Sequence, residues 1–85
     1  MAQLDGIRLS AHAEEMMEER GIASAWVQAA VFHPDWSEPD PRDPALTRSF
    51  RAIPDAGGRV LRVVHRPEPP GIFVVTAHFD RGAGR

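Results

Sequence analysis

Residues 9–22 read LSAHAEEMMEERGI, a helix with both of its ends written in. Ser10 is a good N-cap, because its hydroxyl can accept a free backbone N–H two or three residues on. Gly21 suits the left-handed position just past a helix end. Between them Ala13, Met16, Met17 and Arg20 recur at helical spacing, which turns one stripe toward a core. The pattern predicts a helix from about Ala11 to Glu19. His12 stands apart, since nothing in helix formation asks for an imidazole in the first turn.

Working outward, Ile7–Leu9 reads as a short strand or extended lead-in. Downstream, Ser24 is expected to cap a second helix running to Phe32, with Trp26, Val27, Ala30 and Val31 as its buried stripe. His33-Pro34 ends it, because the residue before proline is pushed out of the helical region. Residues 34–45, PDWSEPDPRDPA, read as a stiff acidic connector suited to neither helix nor paired strand, with Trp36 as its anchor. Three strands follow at Thr47–Ile53, Arg59–Arg66 and Ile72–Asp80. Asp55-Ala56-Gly57-Gly58 joins the first pair, its glycines supplying the positive φ of a tight turn. Pro67-Glu68-Pro69-Pro70-Gly71 forms a longer second turn. The β-α-α-β-β-β order predicts the α+β class: two N-terminal helices packed on one face of a three- to four-stranded antiparallel sheet. Residues 1–85 are read as one small domain, with 34–45 its Pro-rich connector and 81–85 a flexible tail.

The composition narrows the chemistry. The 85 residues contain no cysteine, which excludes disulfides, thiolate metal sites and a cysteine nucleophile. Tyrosine and lysine are also absent, so any general acid or base is His, Asp or Glu. The four histidines lack the tight spacing of a zinc site, and no glycine-rich phosphate loop is present. No metal or cofactor is expected. No apolar run approaches the roughly 20 residues of a membrane span, and the N-terminus lacks the basic and apolar regions of a signal peptide. Both observations predict a cytoplasmic chain with no membrane partner. The formal charge of −2 conceals an asymmetry: residues 1–41 hold two arginines against eight acids, residues 42–85 eight arginines against four. Either the C-terminal half meets an anionic partner, or the acidic helices pack near the basic strands.

Strand alternation converts these residues into a candidate site. Pairing Phe50 with Val63 and Val63 with Val75 collects the largest apolar face. That face carries Phe50, Ala52, Leu61, Val63, Phe73, Val75, Ala77 and Phe79, and is expected to lie under the helices. The opposite face carries Ser49, Arg51, Ile53, Val60, Arg62, Val64, Val74, Thr76 and His78. In this register Arg51, Arg62 and Thr76 form a row, with His78 one pleat away. Facing arginines repel unless an anion joins them. The planar guanidinium fork matches phosphate. Arg51 and Arg62 are therefore candidate catalytic clamps, and Arg48, Ser49 and Thr76 candidate substrate-binding residues. The same residues also admit another arrangement, in which both arginines lie over the valines and pair with acids of the connector.

His12, near the positive end of a helix dipole, reads as a general base, with His78 as its acid partner. Two imidazoles with arginines between them suit attack of an RNA 2′-hydroxyl on the adjacent phosphate, with no metal required. Alternatively, His12 bonds a backbone carbonyl and locks the helix onto the sheet. His33 and His65 read as helix-end and strand-end residues. A reading from a different class makes Ile53, Val60, Val64 and Val74 a protein-binding or dimerising surface.

LSAHAEEMMEERGI, the Val27 and Pro34 positions, and the strands GGRVLRVV and VVTA resemble the bacterial family DUF4258, from about Leu9 to Asp80. The most specific matches are Ser10-x-His12-Ala13, Arg20-Gly21-Ile22 and Gly58-Arg59-x-Leu61-x-Val63-Val64. The family resembles the RelE/ParE and BrnT toxins and the barnase–EndoU–RelE ribonuclease fold. That resemblance implies two helices on an antiparallel sheet whose free face binds RNA, and an antitoxin-like protein as partner; a second copy of the chain is the partner that the dimerising surface would take. It places function on His12, Arg20, Arg51, Arg62 and Thr76, with Arg20 as a substrate-binding residue. One position departs: the family pattern His-Ala-x-x-Arg-Met-x-x-Arg-Gly-Ile puts an arginine where this chain has Met16. If that arginine contacts phosphate, this chain lacks one transition-state contact.

Overall fold

Ser10 turns the chain out of a strand and into a helix. Its extended backbone (φ −68, ψ 161) lets the hydroxyl accept the Ala13 N–H at 2.9 Å while donating to the Val75 carbonyl at 2.7 Å. The helix cap is thereby also a pin onto the sheet. The computed structural model describes residues 3, 4 and 6–82. Strand β1 (Gln3–Leu4) pairs antiparallel with β2 (Ile7–Leu9), and helix α1 (Ala11–Arg20) follows the cap. Gly21 closes α1 at φ 64, a left-handed conformation that suits glycine. Helix α2 (Ser24–Phe32) begins one residue earlier than expected: Ala23 is the N-cap, without a side-chain bond, and Ser24 is already helical.

The remaining strands are β3 (Trp36–Pro39), β4 (Thr47–Ile53), β5 (Arg59–Glu68) and β6 (Gly71–Phe79). Together they make a six-stranded sheet in the order β1-β2-β6-β5-β4-β3. The α+β class holds, but the sheet is larger than three or four strands and it is mixed. The chain leaves β2 beside β6, crosses the sheet through both helices and comes back from the other edge, so β2 runs parallel to β6. The connector supplies the second surprise. Residues 36–39 pair with β4 as an edge strand, which tolerates Pro39 because one side of such a strand needs no N–H donor. Residues 40–46 then close a loop in which the Asp40 carboxylate accepts the Arg42 and Asp43 N–H groups at 2.8 and 3.2 Å. The Glu68–Gly71 turn is tighter than expected, since β5 and β6 remain paired through Glu68 and Gly71. Gly71 is required there: a side chain would collide with the Gly6 carbonyl, which accepts the Ile72 N–H. Arg81 and Gly82 are exposed, and the rest of the expected tail, 83–85, lies outside the described residues.

Both helices pack on one face, α1 against β6 and β2, α2 against β5 and β4. Ile7, Leu9, Ala13, Met17, Val27, Ala30, Ile53, Leu61, Val63, Val74 and Ala77 form the core between the layers. Each fully buried Leu, Ile or Val there stabilises the fold by about 1.5–3 kcal/mol relative to exposure. Among the described residues no helix is long and apolar enough to cross a membrane.

Candidate functional site

The register decides which side chains meet, and it differs from the one that maximises apolar area. Phe50 stands opposite Arg62, not Val63, and Val63 stands opposite Ala77, not Val75. A bulge at Val64/His65 then shifts β6 by one residue, so that His65 faces Val74. Leu61, Val63, Ala77 and Phe79 lie on the helix side as expected. Ile53 and Val74 join them there, which removes two of the four residues assigned to a protein-binding surface.

The far face carries two complete rows. Trp36, Phe50, Arg62 and His78 cross four strands, and Glu38, Arg48, Val64 and Thr76 cross the same four one pleat on. Trp36 stacks on Phe50 with centroids 4.7 Å apart and planes 6° from parallel. The Arg48 guanidinium lies 5.6 Å from the Phe50 ring and pairs with Glu38. Phe50 is 2 % exposed under this cover, although no helix touches that side. Beyond the bulge Arg8, Phe73 and Arg66 align across β2, β6 and β5, with the two guanidinium groups 4.4 and 4.7 Å from the ring. Arg8 and Arg66 both lean on Glu68.

Arg62 is the centre of the first row. Its Nη1 contacts the Asp80 carboxylate at 3.1 Å, and its Nε donates to His78 Nε2 at 3.1 Å, with Nη2 directed at the same nitrogen. His78 Nε2 therefore acts as an acceptor, and the ring proton belongs on Nδ1. Burial is the main cause that pushes the His78 pKa below its ordinary value; the Arg62 charge adds to it, and Asp80 partly opposes it. Smaller contributions in the same direction come from Arg20 and His12. Both stand on the α1 face that also carries Met16, at successive i, i+4 positions beside β6.

A cleft of about 550 Å³ opens between the 40–46 loop and the two rows, lined by Arg42, Asp43, Arg48, Arg62, Val64, Thr76 and His78 among others. The structure thus brings Arg48, Arg62, Thr76 and His78 together, with Arg20 and His12 at their margin. It does not bring Ser49 or Arg51 there. Ser49 is buried on the helix side, where its hydroxyl lies 2.7 Å from His65 Nε2. Arg51 donates to the His33 carbonyl at the C-terminus of α2, where a cation is favoured. The one-residue shift of β4 turned both away from the row. The pairing with connector acids that was open for Arg51 and Arg62 is made by neither: Arg51 bonds the His33 carbonyl and Arg62 is held by Asp80 from beyond β6, while Arg48 pairs with Glu38 of the connector. His12 is exposed and makes no side-chain hydrogen bond among the described residues, so Ser10 does the locking.

Arg42, Asp80 and the Trp36–Phe50 stack escaped sequence reasoning. Arg42 sits in a loop whose course no periodicity reveals. Trp36 opposite Phe50 becomes visible only once 36–39 is recognised as a strand. Among the described residues no three histidine or carboxylate side chains converge as a metal site needs.

Among curated proteins and solved structures none matches the chain. The family model described as Domain of unknown function (DUF4258) matches residues 9–79, and the chain belongs to that family.

Proposed function

We propose that the sheet face opposite the helices binds single-stranded RNA and cleaves it. The observation that carries this reading is the Arg62–His78 pair in the wall of a cleft that Arg42, Arg48 and Thr76 also line, with Arg20 and His12 of α1 at its margin. Basic groups drawn together beside a cleft are stabilised by a multivalent anion. Stacked rings and guanidinium groups nearby suit the alternating bases and phosphates of a strand.

In the reaction, a phosphate bound to the Arg62 fork takes up donors now given to His78 Nε2 and so frees that nitrogen. His78, kept neutral by its surroundings, removes the proton of the adjacent ribose 2′-hydroxyl. The 2′-oxygen attacks phosphorus and the bond to the 5′-oxygen breaks. The leaving oxygen takes a proton from His12, giving a 2′,3′-cyclic phosphate and a free 5′-hydroxyl. Arg62 stabilises the charge that builds on the phosphoryl oxygens. This exchanges the roles expected from the sequence, because the half-buried His78 is the imidazole held in its basic form. On the same reading the chain is a relative of the RelE/ParE- and BrnT-like toxins and acts in the bacterial cytoplasm, with an antitoxin-like protein as partner.

A second reading, a catalytically silent interaction module, draws on Met16. It occupies the α1 position between His12 and Arg20 where the family pattern has arginine. Incubating wild type and His78→Gln with a short RNA separates the two readings. The enzyme predicts 2′,3′-cyclic ends, no cleavage of the 2′-deoxy strand, and a loss of about 10²- to 10⁴-fold in the variant. Equal, background-level cleavage by both proteins overturns it. Concentration-dependent mass in sedimentation would then support the interaction module.

A further inference from the structure

A second pocket of about 260 Å³ lies on the other side of His78, lined by Met16, Arg20, Arg59, His78, Phe79 and Arg81. Three guanidinium groups reach it from three separate places: the end of α1, the start of β5 and the segment just after β6. Among the described residues no carboxylate lines it. Asp80, the nearest in sequence, has both oxygens engaged, one by Arg62 at 3.1 Å and the other by the Gly82 N–H at 2.9 Å. Arg59 is pre-oriented. Its Cζ lies 4.0 Å from the Phe79 ring centroid and its Nε donates to the Ala56 carbonyl at 3.0 Å, and neither terminal nitrogen makes a hydrogen bond among the described residues. Arg20 and Arg81 make no hydrogen bond or ion pair among the described residues. Like charges gathered without a counter-charge repel one another, and a bound oxyanion removes that cost.

We infer that this pocket holds a phosphate group of the RNA strand next to the phosphate held at Arg62, so that His78 stands between two phosphate subsites. The inference rests on the RNA reading above and adds to it where the neighbouring phosphate lies. His78 forms part of the wall of both the large cleft and this pocket. The cleft is broad and partly apolar, with Val64 and Val75 in its lining, as a base or ribose requires. The smaller pocket is arginine-rich, as a phosphate requires.

The test is a binding titration with a short 2′-O-methyl RNA, which cannot be cleaved, with and without a 5′-phosphate. Wild type is compared with Arg20→Gln/Arg81→Gln, two exposed positions whose replacement leaves the core intact. Arg62→Gln serves as the control for the first subsite. The double variant is expected to bind roughly tenfold more weakly at low salt and to lower the slope of log K against log salt by about 0.7 for the one phosphate lost. A loss on the unphosphorylated strand identifies an internal phosphodiester, and a loss confined to the phosphorylated strand a terminal phosphate; both support the pocket. Unchanged binding by the double variant, with Arg62→Gln impaired, overturns the pocket and leaves the RNA reading standing. Should wild type bind no RNA, the RNA reading fails and the pocket is judged by NMR with inorganic phosphate. Saturable shifts of the Arg20, Arg59 and Arg81 Nε–H signals then support an anion site, and their absence overturns it.

Discussion

Both faces of this sheet bury apolar side chains, by different means. On the helix side, Leu61, Val63, Val74 and Ala77 lie under two helices and touch other apolar groups. On the far side, Phe50 is 2 % exposed and Val64 7 %, yet what covers that face is an indole, guanidinium stems and a proline-rich loop. The core between helices and sheet holds no charged side chain among the described residues. A layer of stacked rings and arginines covers Phe50 and Val64 while keeping cationic groups at its surface. The second kind of cover lets a domain with a single small core carry a basic face without leaving its sheet half bare.

Substitutions can break that comparison. Leu61→Ala should cost about 3 kcal/mol in urea unfolding, the usual range for emptying a sealed core position. Phe50→Ala should cost a similar amount if the connector is a firm layer; a value below about 1 kcal/mol would make the far face merely draped. Trp36→Ala should come next at about 2 kcal/mol, combining lost apolar cover with the stacked pair. Ser10→Ala should cost about 1 kcal/mol through the lost cap, and somewhat more if the hydroxyl bond to the Val75 carbonyl contributes separately. Hydrogen exchange localised to the first turn of α1 would separate the two parts.

The elements were legible because their signals are local. Ser10 and Gly21 bracket α1 within one residue of where the helix ends, and β4 has the bounds that its alternation predicts. The register was not legible, because it depends on a cover that lies elsewhere in the chain. Assigning Phe50 to the helix side follows from supposing that only helices bury rings. Trp36 supplied a second cover, and Ser49 went inward in its place because His65 offered its hydroxyl a partner. The bulge after Val64 reversed the parity of β6, so Val74 and Phe73 exchanged faces. Arg62, Thr76 and His78 survived as a group because they lie on the part of β5 and β6 before that bulge. Arg51 and Ser49 did not, since a shift of one residue on β4 sends both to the other side.

The smallest expected effect is a tilt of stability with pH, and it tells the faces apart through their histidines. His65 on the helix side has its pKa lowered by burial, and His78 on the far face has its pKa lowered by burial and then by Arg62. In both cases the unfolded chain takes up a proton at a higher pH than the folded one. The resulting stabilisation is fully present above the unfolded value near 6.5 and is lost as pH falls through the folded value. Urea unfolding between about pH 7.5 and pH 5 should therefore show stability declining on the acid side. His65→Gln should leave only the part of the slope due to His78, and His65→Gln/His78→Gln should flatten the window. Bound phosphate distinguishes the two, because an anion beside Arg62 favours the protonated form of His78 and leaves His65, on the other face of the sheet, untouched. A slope that phosphate reduces in His65→Gln but not in His78→Gln places the anion on the far face. A slope that phosphate leaves unchanged in both takes the anion away from His78.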